Sequence, residues 1–236
     1  MKILAFDSTA KSASVAVSDN SKLLGLYNID NGLTHSELLL PMAESLLKSL
    51  KLSFSDIDVF AAAVGPGSFT GVRIGVSLIK GLAFDKNKPC VSVSTIEQLA
   101  ESLACLEGVI VPVMDARRSQ VYTAIFESDG ENLTRLTEDS AISITELSQR
   151  LEKYCEKNIY LTGDGYNLVT PILRQCGIKT KNTPPLLING NAYSCAMVAL
   201  RKFQAGDFSS DEAITATYLR LPQAQRELLE KISKSI

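Results

Sequence analysis

The chain has 236 residues, with 24 Lys or Arg against 26 Asp or Glu and a formal net charge of −2. That length fits one large domain or two of about 100 residues each, and 45% hydrophobic residues suffice for a full core. The mildly acidic balance argues against a stand-alone nucleic-acid binder, which carries a basic excess.

In chain order, Lys2–Asp7 (KILAFD) is a short apolar run ending on an acid, as a buried strand would be. Ser12–Val17 and Leu23–Ile29 read as two further strands. Strand, turn, strand, strand is an antiparallel opening, unlike an all-parallel doubly wound sheet, where a helix follows the first strand. Thr34 and Glu37 form a capping box, and Leu38, Leu39, Met42, Leu46, Leu47 and Leu50 then recur at helical spacing. Pro41 inside this helix is expected to bend it or delay its start. Val59–Val64 is a strand, followed by a glycine-rich segment, a helix to about Phe84, a strand over Cys90–Val93 and a helix over Ile96–Leu106. Val109–Asp115 (VIVPVMD) repeats the opening pattern, and Val121–Phe126 follows it as a strand, the mark of an internal duplication. Tyr160–Thr162 with Gly163-Asp-Gly165 reads as strand and turn, Tyr193–Phe203 as a helix, and Leu219–Ile236 as a turn and a charged helix. The expected lobes are residues 1–105 and 106–236, the last helix free to pack back on the first lobe.

Gly65-Pro-Gly-Ser-Phe-Thr-Gly-Val-Arg-Ile-Gly75 places four glycines in eleven residues between a strand and a helix. Gly65 and Gly67 permit a sharp turn, Ser68 or Thr70 can cap the helix, and a helix N-terminus after such a loop is a natural anion site. Asp7-Ser8-Thr9 at the first strand end can present backbone N–H groups to a phosphate, with the acid positioning a metal or water. An ordinary Asp/Ser/Thr turn explains the same residues. Asp115, Arg117 and Arg118 form the matching candidate in the second half. Gly71 and Gly75 lie on one helix face that Leu78, Ile79 and Leu82 continue, at a cost of about 1 kcal/mol per interior glycine relative to alanine. Such a stripe fits close backbone approach, either to this chain's own sheet or to a helix of another chain, and Arg73 is a surface ion pair or an interface anchor.

Other chemistries lack residues. The sequence has no G-x-x-x-x-G-K-[ST] loop, no dinucleotide fingerprint and no G-x-S-x-G elbow. His35 is the only histidine, so triads and metal sets have little to draw on. Cys90, Cys105, Cys155, Cys176 and Cys195 are widely spaced and odd in number, the pattern of reduced cytoplasmic thiols. Met1-Lys2 runs directly into a strand, so no signal peptide is expected, and no apolar stretch reaches about 18 residues, so no membrane span is expected.

Met1–Thr9, Thr34-His35 with Leu40-Pro41-Met42, Gly65–Gly75, Val91–Thr95, Asp115–Arg117 and Val121-Tyr122 together resemble the TsaB (YeaZ) family, in order across roughly the first 125 residues. The resemblance implies an α/β protein of the actin-like ATPase (ASKHA, ribonuclease H-like) fold, with two related lobes of mixed sheets flanked by helices. It implies a non-catalytic paralogue of TsaD in the machinery that makes N6-threonylcarbamoyladenosine (t6A) next to the tRNA anticodon. The TsaD metal-binding His pair falls on Thr95 and Leu99 here, so the resemblance implies no metal and no catalytic residue. It also implies no cofactor of this chain's own: Asp7, Ser8, Thr9, Gly65, Gly67 and Ser68 remain as vestigial phosphate-loop candidates, and ATP is used by the partner subunits. The implied interface is Leu38, Met42, Leu46, Gly71, Arg73, Gly75, Leu78 and Ile79. The implied partners are a TsaD-like subunit, a TsaE-like ATPase, a second copy when the chain is alone, and tRNA through the complex. A small ATP-dependent enzyme and a metallopeptidase are the alternatives.

Overall fold

The computed structural model describes residues 1–84 and 86–220. The first sheet is built from β1 (Lys2–Asp7), β2 (Ala13–Asp19), β3 (Lys22–Ile29), β4 (Val59–Ala63) and β5 (Cys90–Val93), in the order β3-β2-β1-β4-β5. β2 runs antiparallel to β1 and β3, whereas β1, β4 and β5 are parallel. The central β1 is buried on both faces, which its unbroken apolar run requires. Leu4 and Phe6 face one helical layer with Phe60 and Ala62. Ile3 and Ala5, one residue out of phase, face the other with Ala61 and Val91.

The first layer is α1 (His35–Ser49) and α2 (Phe69–Ala83). Glu37 reaches back to accept from the Thr34 N–H at 3.3 Å, and Ser68 Oγ accepts from the Gly71 N–H at 3.2 Å, so both helices begin where their caps predict. α1 is continuous through Pro41. The opposite layer is α6 (Ala192–Gln204), whose Cys195, Ala196, Val198 and Ala199 pack on Ile3, Ala5 and Val91.

The second sheet comprises β6 (Gly108–Asp115), β7 (Gln120–Thr123), β8 (Phe126–Ser128), β9 (Leu133–Arg135), β10 (Ser140–Ser143) and β11 (Ile159–Thr162). It repeats the logic of the first: β6 is antiparallel to β7 and parallel to β11, as β1 is to β2 and β4. α4 (Ile144–Leu151) and α5 (Tyr166–Gln175) cover Val109, Val111 and Val113. α3 (Thr95–Glu101) and the turn after it pack on the other face, with Ile96, Leu99 and Leu103 against Ile110 and Phe126.

Four sequence expectations are corrected. Val121–Phe126 is not one strand: β7 pairs with Val113–Asp115, β8 with Gly108–Ile110, and the break falls opposite Pro112, which has no N–H to give the ladder. The helix expected over Ile96–Leu106 ends at Glu101 and continues as turns with bonds such as Leu103 N to Ala100 O. α6, assigned by sequence to the second lobe, buries its apolar face on the first sheet. The segment 1–105 is therefore completed by residues from the far end of the chain. The charged helix expected up to Ile236 lies outside the described residues after Arg220.

The fourth correction concerns Gly71 and Gly75. A Cβ at Gly71 would lie 1.9 Å from the Ser8 carbonyl oxygen, and one at Gly75 2.7 Å from Ser8 Oγ. The glycine face meets this chain's own β1–β2 turn and is not presented to another chain. Gly71→Ala must push α2 off that turn, with an expected loss of about 1–3 kcal/mol or more. Gly81, with open space at its Cβ position, is the control: Gly81→Ala is expected to gain up to about 1 kcal/mol. Urea midpoints at unchanged slope measure both, and equal behaviour of the two variants refutes the close approach.

Candidate functional site

The two strand–acid–turn units face each other across a cleft of about 510 Å³, lined by Thr9, Lys11, His35, Ser68, Phe69, Asp115, Arg117 and Asp164 among others. Asp7 and Asp115 end equivalent strands and make equivalent turns. Asp7 Oδ1 accepts from the Thr9 N–H at 2.9 Å, and Asp115 Oδ1 accepts from the Arg117 N–H at 2.7 Å. Each acid closes a turn two residues on, as Asx turns do. Their surroundings then diverge.

Asp7 is 4% exposed. Its Oδ1 also accepts from Thr9 Oγ1 at 2.7 Å, and its Oδ2 from Gln98 Nε2 at 2.5 Å. Gly190 closes the remaining side, where an added Cβ would stand 3.2 Å from Asp7 Oδ2 and 2.9 Å from Gln98 Nε2. Burial, with the Asp7 charge nearby, pushes the Cys195 thiol well above its ordinary range. Two backbone donors here are likewise engaged. The Thr9 N–H is held by Asp7, and the Ser68 N–H donates to the Thr9 carbonyl at 2.8 Å. Ser8 Oγ donates to the Gly71 carbonyl at 2.8 Å. Gly65, at φ +114°, lies against the Thr217 carbonyl, and Gly67 against that of Thr9. Of the six phosphate-loop candidates, Asp7, Thr9, Gly67 and Ser68 are thus brought together, with the Thr9 and Ser68 N–H groups turned inward.

Asp115 is more open, with 30% side-chain exposure and a 3.4 Å contact to Arg117. Its N–H donates to Asp164 Oδ1 at 3.0 Å. Asp164 opens to the cleft on one side, but the protein around the rest of it raises its carboxyl above the ordinary value, with the Asp115 charge adding to the effect. Arg117, Arg118 and Ser119 have φ of 63°, 55° and 55°, a left-handed run that costs about 1–2 kcal/mol per residue. His35 Nε2 lies 3.3 Å from the Ser12 carbonyl. Among the described residues no three His, Cys, Asp or Glu side chains converge as a metal set.

A second candidate surface lies on α1 and α2. Of its expected residues, Met42, Leu46 and Ile79 belong to the core, as Gly71 and Gly75 do. Leu46, for one, packs on Gly25 of β3. Leu38 and Leu78 are half-buried, and Arg73 is exposed. What α1 and α2 offer outward is an open groove of about 570 Å³, in which Leu40, Ile74, Leu78 and Arg73 take part.

The family model "TsaD: tRNA N6-adenosine threonylcarbamoyltransferase" matches residues 31–230. The tRNA threonylcarbamoyladenosine biosynthesis protein TsaB of Bacillus subtilis is 32% identical over 164 residues, 70% of this chain and 72% of the relative. The chain belongs to the TsaB family. The Escherichia coli member of that family is 27% identical over 230 residues, 97% of this chain and 98% of the relative. A solved Pseudomonas aeruginosa structure, titled as similar to peptidase YeaZ, superposes with a TM-score of 0.79 at 23% identity, covering 93% of this chain and 99% of that one. The fold is the actin-like one, two related lobes of mixed sheet and helices. Among the described residues no helix is long and apolar enough to cross a membrane.

In this TsaB-family chain Thr95 and Leu99 are both buried, and Leu99 packs beside Gly190. Gln98 escaped sequence reasoning. It is fully buried on α3 between Glu97 and Leu99, and nothing in its local pattern announces that it meets Asp7, 91 residues away. Replacing Gln98 by Leu removes the only donor to Asp7 Oδ2 among the described residues. The expected cost is about 2–3 kcal/mol. Combined with Asp7→Ala, which removes the acceptor, the two changes should cost less than their sum, because each deletes the same shared bond. Strict additivity in denaturation would show that the contact carries no energy.

Proposed function

We propose that this chain is a non-catalytic subunit of a t6A-forming tRNA threonylcarbamoyltransferase, binding a TsaD-like subunit that carries the chemistry. The t6A assignment follows the family. The observation that carries the non-catalytic part is Asp7. An acid that positions a metal or an attacking water needs a free carboxylate oxygen and a path for ligand, and here both oxygens are hydrogen-bonded from within while Gly190 stands over them. Two N–H groups that a phosphate at this turn would use, those of Thr9 and Ser68, are already in use. ATP chemistry then belongs to the partners, including a TsaE-like ATPase, and tRNA is met through the complex.

The α1/α2 groove supports the partner role. Open apolar surface between two helices is a common docking feature, and Leu40 is 38% exposed there. A second copy of the chain would use the same groove when the partner is absent. Leu38, Arg73 and Leu78 remain in the proposed interface, joined by Leu40 and Ile74, while Met42, Leu46, Gly71, Gly75 and Ile79 support it from beneath. The cytoplasm, where tRNA is modified, is the proposed compartment.

The test is reconstitution of t6A on an unmodified tRNA transcript with TsaD-like and TsaE-like subunits. Product is expected only when this chain is added, and full product without it refutes the role. Calorimetry of the isolated chain with ATP and Mg²⁺ is expected to give no saturable heat. Tight binding there would favour the reading as an ATP-dependent enzyme.

A further inference from the structure

Residues 209–220 run as a strap along the first lobe. Ser209 pairs with Cys90 by two backbone bonds of 2.8 and 2.9 Å, the buried Ile214 enters the core of the first lobe, and the Thr217 N–H donates to the Val64 carbonyl at 2.7 Å. The strap then delivers Tyr218 onto α2. The Tyr218 ring stacks on Phe69 with centroids 4.8 Å apart, and its hydroxyl accepts from Arg73 Nε at 2.8 Å. The Arg73 guanidinium carbon stands 5.6 Å from the Tyr218 ring centre. Arg220 Nη1 donates to the Ala116 carbonyl at 2.6 Å and fixes the end of the strap to the second lobe.

Phe69 and Arg73 are one helical turn apart, so Tyr218 clamps both on the same side of α2. The clamp uses the Nε edge of the guanidinium, and among the described residues the paired terminal nitrogens make no hydrogen bond. Among the described residues no carboxylate lies within 4 Å of Arg73. Arg73 also lines the apolar groove, which holds no Asp, Glu or Lys. A preorganised guanidinium beside desolvating apolar surface pairs best with a planar carboxylate, in two parallel hydrogen bonds.

We propose that the α1/α2 groove receives a helix of a different chain whose apolar face carries an Asp or Glu, and that this carboxylate pairs with Arg73 as held by Tyr218. This rests on the reading of the chain as a partner subunit and adds the chemistry of the contact. Tyr218 is a positioning residue: it limits the guanidinium's freedom before binding and so lowers the entropy lost on docking. The single charge sets register along an otherwise apolar contact.

The probe is the TsaD-like subunit, titrated against wild-type chain and the variants Arg73→Glu, Tyr218→Phe and Tyr218→Ala, with thermal melts to confirm that each folds. Arg73→Glu is expected to weaken binding by about tenfold or more at about 0.1 M salt, with the deficit shrinking at about 1 M. Tyr218→Ala is expected to weaken it severalfold, and Tyr218→Phe less, because the stack on Phe69 survives. One Asp→Lys or Glu→Lys change on the partner's docking helix should restore binding to Arg73→Glu, which a purely structural role for Arg73 would not allow. Wild-type affinity for Arg73→Glu, or a deficit indifferent to salt, overturns the proposal. Loss of self-association by Arg73→Glu with unchanged binding to the TsaD-like subunit also overturns it and assigns the groove to a second copy. Failure of the wild-type chain to bind the TsaD-like subunit at all refutes the partner reading beneath it.

Discussion

A buried carboxylate must be paired or fully hydrogen-bonded, and the first lobe is organised around meeting that condition for Asp7. No cation is supplied to it among the described hydrogen bonds and ion pairs. Instead Thr9 folds back from the next turn, and Gln98 reaches in from α3. Satisfying Asp7 therefore ties the β1–β2 turn to a helix that lies between the two sheets. α3 is held in turn to α6 by Glu101 and Arg201, at 2.8 and 2.7 Å, and to the second lobe by Glu97 and Arg135 at 3.4 Å. Arg135, half-buried over the Phe126 ring and also bonded to Asp139, ends in a charged network and not in an isolated pair. The constraint on one carboxylate thus contributes to fixing how the lobes meet.

The same turn sets what α2 can present. Ser8 gives its hydroxyl to Gly71 and its carbonyl to the space where a side chain would stand. α2 can only come this close with glycine at 71, and this fixes its rotation about its own axis. With Gly71, Gly75 and Ile79 inward, Phe69, Arg73 and Ser77 turn outward at i, i+4 and i+8. The two halves of the glycine-rich segment are therefore one device. The turn from Gly65 to Ser68 is packed by Thr9 and Thr217, and the helix it launches is held against Ser8, which turns Phe69 and Arg73 toward Tyr218.

Much of this was legible in the sequence. Apolar runs ending on Asp7 and Asp115 gave the two strand–turn–strand units, and the capping residues Thr34 and Ser68 placed the starts of α1 and α2. The misses share a cause. Periodicity reports which residues share a face, not which way that face looks, so Gly71 and Gly75 read equally well as an outer or an inner stripe. Gln98, Gly190 and Tyr218 act across 91, 183 and 145 residues, measured from Asp7 or Arg73. Contacts at such separations leave no local pattern. Pro112 did carry a signal, since its missing N–H foretold a broken ladder, but the apolar run around it masked that.

The duplication makes the closure of Asp7 informative. The two units share strand, acid and two-residue turn, yet the second has its acid partly open beside Lys11, Arg117 and Asp164. The difference between them is not in the turn but in what covers it: Gln98 and Gly190 over Asp7, solvent over Asp115. Opening the first acid would mean losing a donor from α3 and a close backbone contact before the α6 helix, both of which also hold the lobes together. A carboxylate held as a joint between β1, α3 and the segment before α6 cannot be reopened by a small motion, whereas among the described residues the Asp115 carboxylate is bonded only by Arg117.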